Sequence, residues 1–193
     1  MTTRPLILGF TGSQRARSTN RGILRALQEL LPAEVQMETF PVGDLPPYDM
    51  DLEACEPEHV RCFRETLLQA DAIIIATPEF NGSIPGVLKN ALDWASRPYG
   101  ESALAGKPTA ICGASEGAGG TRRAQRHLRE ILARFHPSRQ PLVLEEPAVC
   151  IANSGDKFDV HGTLQHEATR QLLHDLLCAL LEQLPQTRPV TLV

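Results

Sequence analysis

Three short stretches concentrate the side chains that could do chemistry, and they suit different parts of one ligand. The first, TGSQRARSTN at residues 11–20, places the hydroxyls of Ser13, Ser18 and Thr19, the Asn20 amide and the Arg15 guanidinium between an apolar run and a segment of helical period. A helix beginning there adds unpaired backbone N–H groups and the positive end of its dipole, so a single phosphate suits the loop. Ser18 or Asn20 acting only as a helix cap accounts for the same residues. Gly12 permits a tight turn, Arg17 falls out of phase with Arg15, and neither a Gly-Lys-Ser/Thr nor a G-x-G-x-x-G pattern is present.

The second stretch, TPEFNGSIPGVLKNALDWASRP at residues 77–98, stiffens its loop with Pro78 and Pro85 and allows close approach at Gly82 and Gly86. Phe80 and Asn81 could flank and hydrogen-bond a flat ring, although Asn81 with Gly82 is also a common turn pair. Trp94 is expected in the core or in an interface. The third stretch, GASEGAGGTRRAQ at residues 113–125, offers Ser115 and Glu116 and then Gly117, Gly119 and Gly120, whose amides could approach the edge of a heteroaromatic ring. Arg122 and Arg123 follow as candidate phosphate contacts or as a solvated helix face.

These loops need a scaffold that brings them together. Apolar runs predict strands at residues 6–10, 35–40, 72–76, 109–113 and 143–151, the last broken by Glu-Glu-Pro, and the central runs do not alternate, as expected of strands covered on both faces. Between them lie helical stripes: Ile23, Leu24, Leu27, Leu30 and Leu31; Val60, Phe63 and Leu67; Val87, Leu88, Ala91, Leu92 and Ala95; Leu128, Ile131, Leu132 and Phe135; and Ala168, Leu172, Leu173, Leu176, Leu180 and Leu184. Five β–α units with right-handed crossovers predict a three-layer α/β fold with a doubly wound sheet of five parallel strands. Ligands in such sheets sit beyond the carboxyl ends of the strands, where all three loops fall.

The 193 residues suit one domain over residues 1–193, and a net charge of −4 gives no electrostatic footprint for a nucleic acid. No segment approaches the ~20 apolar residues of a membrane span, and the amino end lacks the pattern of a signal peptide. Five cysteines without metal or C-x-x-C spacing read as reduced thiols, so a cytoplasmic protein is expected. The histidines (His59, His127, His136, His161, His166 and His174) read as surface or packing residues.

GSQRARSTN together with TPEFNGSIPGVLKNALDWASRP resembles the NAD(P)H-dependent FMN reductase family of the flavodoxin-like fold, which includes quinone, chromate and azo-dye reductases. The similarity spans roughly residues 6–132. It implies strand order 2-1-3-4-5, with the FMN phosphate at Ser13, Arg15, Ser18, Thr19 and Asn20. The isoalloxazine and ribityl chain would lie against Pro78, Glu79, Phe80, Asn81 and Gly82, and Ser115 and Gly117 would stand at the ring. Phe80 stands where the family commonly has Tyr: the aromatic wall survives without a hydroxyl. Relatives form dimers or tetramers, so a homodimer or tetramer is expected, with Trp94 and its helix as local support.

The resemblance also implies ping-pong hydride transfer from NADPH or NADH through FMN to a small-molecule acceptor, with no catalytic triad and no metal. A flavodoxin-type electron carrier fits less well, because Arg15 and the modest charge depart from its pattern. A receiver domain would need acidic residues where Thr11 and Thr77 stand, and a flavin-binding regulator without turnover would share every feature above.

Overall fold

The first apolar run forms β1 (Leu6–Thr11) in the computed structural model, which describes residues 4–135 and 140–184. It is followed by α1 (Thr19–Glu29), β2 (Gln36–Phe40), α2 (Glu58–Gln69), β3 (Ala72–Ala76), α3 (Gly86–Ala95), β4 (Pro108–Ala114), α4 (Arg122–Leu132), β5 (Leu142–Val143), β6 (Val149–Ile151) and α5 (Glu167–Glu182). The strands are parallel in the order β2-β1-β3-β4-β5, as the resemblance implies. The predicted fifth strand is two pieces, both paired to β4: Pro108 faces Leu142, and Cys112 faces Val149. The Glu-Glu-Pro break between them has no place in the ladder, since proline lacks the N–H that pairing needs.

Alternate residues of the central strands feed two cores. On one face Ile7 and Ile74 pack with Ile23 and Leu27 of α1 and Leu173, Leu176 and Leu180 of α5. On the other, Leu8, Phe10, Ile73 and Ile75 pack with Phe63 and Leu67 of α2, Leu88 and Trp94 of α3, and Leu128 of α4. Burial on both sides explains why "LILGF" and "AIIIA" show no polar alternation.

Two sequence expectations change here. The buried face of α5 runs through Thr169, Leu173, Leu176, Leu177, Leu180 and Leu181, while Ala168 and Leu172 face outward, Leu172 at 47% exposure. In a helix so rich in leucine, periodicity alone does not choose the face. Trp94 is fully buried: its indole N–H donates to the Pro46 carbonyl at 2.9 Å and its ring meets Tyr48 edge-on at 5.0 Å. It is a core residue and lends no support to an oligomer interface.

His166 caps α5 through Nδ1, which accepts from the Thr169 N–H, and His136 lies outside the described residues. All five cysteines are free thiols, and burial, with Cys150 nearby, pushes the Cys112 thiol up to about 12. It stays protonated at neutral pH. Among the described residues no helix is long and apolar enough to cross a membrane.

Candidate functional site

The first loop turns off the end of β1 against the start of α3. Gly12 is needed for packing rather than for a left-handed backbone: a Cβ there would lie 2.9 Å from Leu88 Cβ and from Pro85 Cγ. Ser13 and Ser18 are buried, and the Ser13 N–H donates to Thr11 Oγ1 at 3.2 Å. Ser18 caps α1, its Oγ accepting from the Arg21 N–H at 3.2 Å, and the first helical bond runs from the Gly22 N–H to the Ser18 carbonyl. The N–H groups of Thr19 and Asn20 precede that bond and stand at the positive end of the helix.

Asn20 differs from its neighbours. Its amide is buried, donating to the Ala114 carbonyl and accepting from the Ala114 N–H, both at 2.9 Å. The side chain therefore braces α1 against the end of β4, and what Asn20 can offer a ligand is its backbone N–H. Arg15 remains exposed, its guanidinium 3.9 Å from the Glu116 carboxylate. A pair that open to water holds weakly and gives way easily.

In the second loop the Asn81–Gly82 pair makes a tight turn. Phe80 and Ser83 exchange backbone hydrogen bonds of 2.9 and 3.0 Å across residues with φ of +51° and +78°, the pattern of a type I′ turn. Phe80 at its shoulder is 54% exposed and lines the cleft described below.

Glu79, just before the turn, lines the cleft but commits its carboxylate to α4. Its Oε1 accepts from Arg123 Nε at 2.8 Å, with Arg123 Nη2 2.7 Å away as an ion-pair contact, and its Oε2 accepts from the Arg123 and Ala124 N–H groups at 3.1 and 3.2 Å, capping α4. Burial pushes its carboxyl up, but the hydrogen bonds from Arg123 and Ala124 together with the Arg123 charge outweigh this, and its pKa lies below the ordinary carboxylate value. A folded pKa below the unfolded one means stabilisation that is complete above the unfolded value and lost as pH falls through the folded one. In thermal melts, wild type should therefore exceed Glu79→Gln at pH 6–7, and the gap should begin to shrink as pH falls below the ordinary carboxylate value of about 4.3 and close only below the lower value that Glu79 has in the fold. A gap independent of pH would remove the charge from the account.

The third loop lies beside both. Ser115 is tied on every side: its Oγ–H donates to the Gly120 carbonyl at 2.5 Å, its N–H to Ile151 at 3.0 Å, and its carbonyl accepts from the Ser154 N–H at 3.1 Å. Gly120 has φ of +58° and lies so near β6 that a Cβ would meet the Cys150 carbonyl at 3.0 Å. Gly119 faces open space, and a Cβ on Gly117 would meet only Ser115 Oγ, at 4.0 Å. These two keep a ledge clear that no protein atom fills.

Together the loops enclose a cleft of about 160 Å³, between Ser13, Arg15, Ser18, Thr19 and Asn20 on one side and Pro78, Glu79, Phe80 and Ser115 on the other. It opens into a wider trough of about 530 Å³ lined by Asn81, Gly82, Gly117, Gly119, Gly120 and Arg123. Every residue that the resemblance assigns to the cofactor lines one or the other, as does Arg123, whereas Arg122 lines neither. Ser154 also lines the cleft, set there by Asn153 at φ +47°; the only sequence signal for it is the Asn-Ser-Gly-Asp run after the last strand. A separate groove of about 550 Å³ lies between α1 and the segment after β2 and meets the cleft at Ser13.

The model of the NADPH-dependent FMN reductase family matches residues 5–154 of the chain. A quinone reductase of Pseudomonas putida is 47% identical over 169 residues, covering 84% of this chain and 85% of that one. An NAD(P)H-dependent FMN reductase of Pseudomonas aeruginosa is 42% identical over 177 residues, covering 90% and 92%. Among solved structures, the flavoenzyme NAD(P)H:(acceptor) oxidoreductase FerB of Paracoccus denitrificans superposes with a TM-score of 0.82 at 32% identity, covering 93% of this chain and 96% of that one.

Proposed function

Because the chain belongs to the NADPH-dependent FMN reductase family and is an oxidoreductase of the quinone reductase type, we propose that it binds FMN in the cleft described above and uses NAD(P)H to reduce a quinone. The observation that carries this reading is the meeting, in one cleft, of a helix N-terminus flanked by buried serines with an exposed aromatic ring and a glycine ledge. The residues present fit the cofactor: one set of first-turn N–H groups for one terminal phosphate, and at Gly117 and Gly119 a strip with room for the edge of a ring. Of the two helix starts at the cleft, that of α4 is already capped by the Glu79 carboxylate, which leaves one phosphate seat, at α1, and favours FMN over FAD.

When bound, FMN supplies the hydride chemistry, accepting from the nicotinamide and delivering to the acceptor. The chain's own residues bind, orient and polarise. Arg15 and the Thr19 and Asn20 N–H groups hold the phosphate, and Ser13 and Ser18 line its seat. Phe80 walls the planar group, and the backbone amides near Asn81, Gly82 and Gly117 stabilise negative charge that develops at its edge. No side chain in the cleft is needed as a proton shuttle for this role. The choice of a quinone draws on the likeness to the quinone reductase of Pseudomonas putida.

An absorption spectrum of the purified protein, followed by chromatography of the heat-released cofactor, tests the reading. FMN is expected. Anaerobic NADPH or NADH should then bleach the bound flavin within seconds, and turnover with a quinone should give parallel double-reciprocal lines. Recovery of FAD, or failure to take up FMN, would overturn the assignment, and a flavin that neither nicotinamide bleaches would make the protein an electron carrier.

A further inference from the structure

The family resemblance puts Glu79 among the flavin contacts, but its carboxylate is already held by the protein. Three hydrogen bonds reach it from α4: Arg123 Nε on Oε1, and the Arg123 and Ala124 N–H groups on Oε2, with Arg123 Nη2 as a further ion-pair contact 2.7 Å from Oε1. The side chain is only 10% exposed, which leaves little of it open to a ligand. On the far side of the turn, Ser83 Oγ lies 2.7 Å from His127 Nδ1. Arg123 and His127 are four residues apart and so lie on one face of α4. The 80–83 turn is thus pinned at both ends to the same helix, whose first residues follow directly from the glycine loop.

We propose that Glu79 is a positioning residue whose carboxylate, with the Ser83 and His127 contact as a second fastener, locks the 80–83 turn to α4 and holds Phe80 in place at the cleft where the acceptor stacks. This rests on the cleft being the FMN and acceptor site. Turn and helix then move as one body, so α4 fixes where Phe80 stands at the cleft.

The test uses FMN-loaded protein with 1,4-benzoquinone as acceptor. Glu79→Ala and Arg123→Ala should each raise the quinone KM about three- to tenfold, because the stacking-competent turn is then populated only part of the time, with any loss of FMN affinity equal in the two variants. The double variant should be no worse than the more severe single one, since both remove the same fastening. Glu79→Gln should fall between, its amide oxygen still able to accept the Ala124 N–H. His127→Ala should act in the same direction more weakly.

If the two single effects multiply, or if Glu79→Ala lowers FMN affinity or moves the flavin absorption maxima while Arg123→Ala does not, Glu79 touches the ligand and the proposal falls. It also falls if only the melting temperature changes. Amide exchange at Phe80 and Ser83, measured without flavin, separates this from the cofactor reading. Faster exchange in Glu79→Ala supports the fastening even if FMN does not bind, and unchanged exchange refutes it even if FMN does.

Discussion

Asn20→Leu should cost the protein about 2–6 kcal/mol, because it leaves the buried N–H and C=O of Ala114 without partners at about 1–3 kcal/mol each. Leucine matches asparagine in heavy-atom count and branching but is bulkier, so no cavity is left and the strain of fitting it adds to the polar loss. For a domain of this size that lowers the melting temperature by roughly 5–20 °C. The deficit should be as large without FMN as with it, because the amide serves β4 and not the cofactor. Thermal melts of the flavin-free proteins make the measurement. Equal melting temperatures there, with loss of stability seen only when FMN is present, would return Asn20 to the phosphate site.

That prediction marks where sequence reading stops. What periodicity carries was legible: residues 72–76 form β3 as expected, the Glu-Glu-Pro break divides the last strand, and Asn81 with Gly82 forms a turn that their preference for positive φ foretells. These features depend on neighbours within a few residues. Hidden were the partners that folding supplies from afar: Ala114 for Asn20, 94 residues on, and Arg123 for Glu79, 44 residues on. Residue type names the chemistry a side chain is capable of, and only the tertiary fold shows whether it has already been spent. Gly12 shows the same limit. A glycine after a strand suggests a turn, whereas here it is the nearness of Pro85 and Leu88 that leaves no room for a Cβ.

Arg15 is the counterexample, a candidate that the fold leaves free. It lines the cleft beside Ser13 and Ser18, whereas Arg17 does not, and its one partner, Glu116, is 3.9 Å away and equally exposed. A charge-assisted hydrogen bond to a phosphate is worth roughly 1.5–3 kcal/mol, so Arg15→Ala should weaken FMN binding by about ten- to a hundredfold. Riboflavin, with the same ring and no phosphate, should bind the variant nearly as well as wild type. Glu116→Gln should act oppositely and more weakly, since it removes a carboxylate that competes for the guanidinium and repels the phosphate. Fluorescence titration of both flavins against flavin-free protein, with circular dichroism to confirm folding, gives the affinities. Equal losses for FMN and riboflavin would make Arg15 a shaper of the loop, and a phosphate-selective loss in Arg17→Ala alone would transfer the role to Arg17. The opposite responses of Arg15 and Glu116 separate this from a general disturbance of the loop: a disordered loop weakens both flavins in both variants, whereas a phosphate contact changes one ligand, in opposite senses, when the cation or its competing anion is removed.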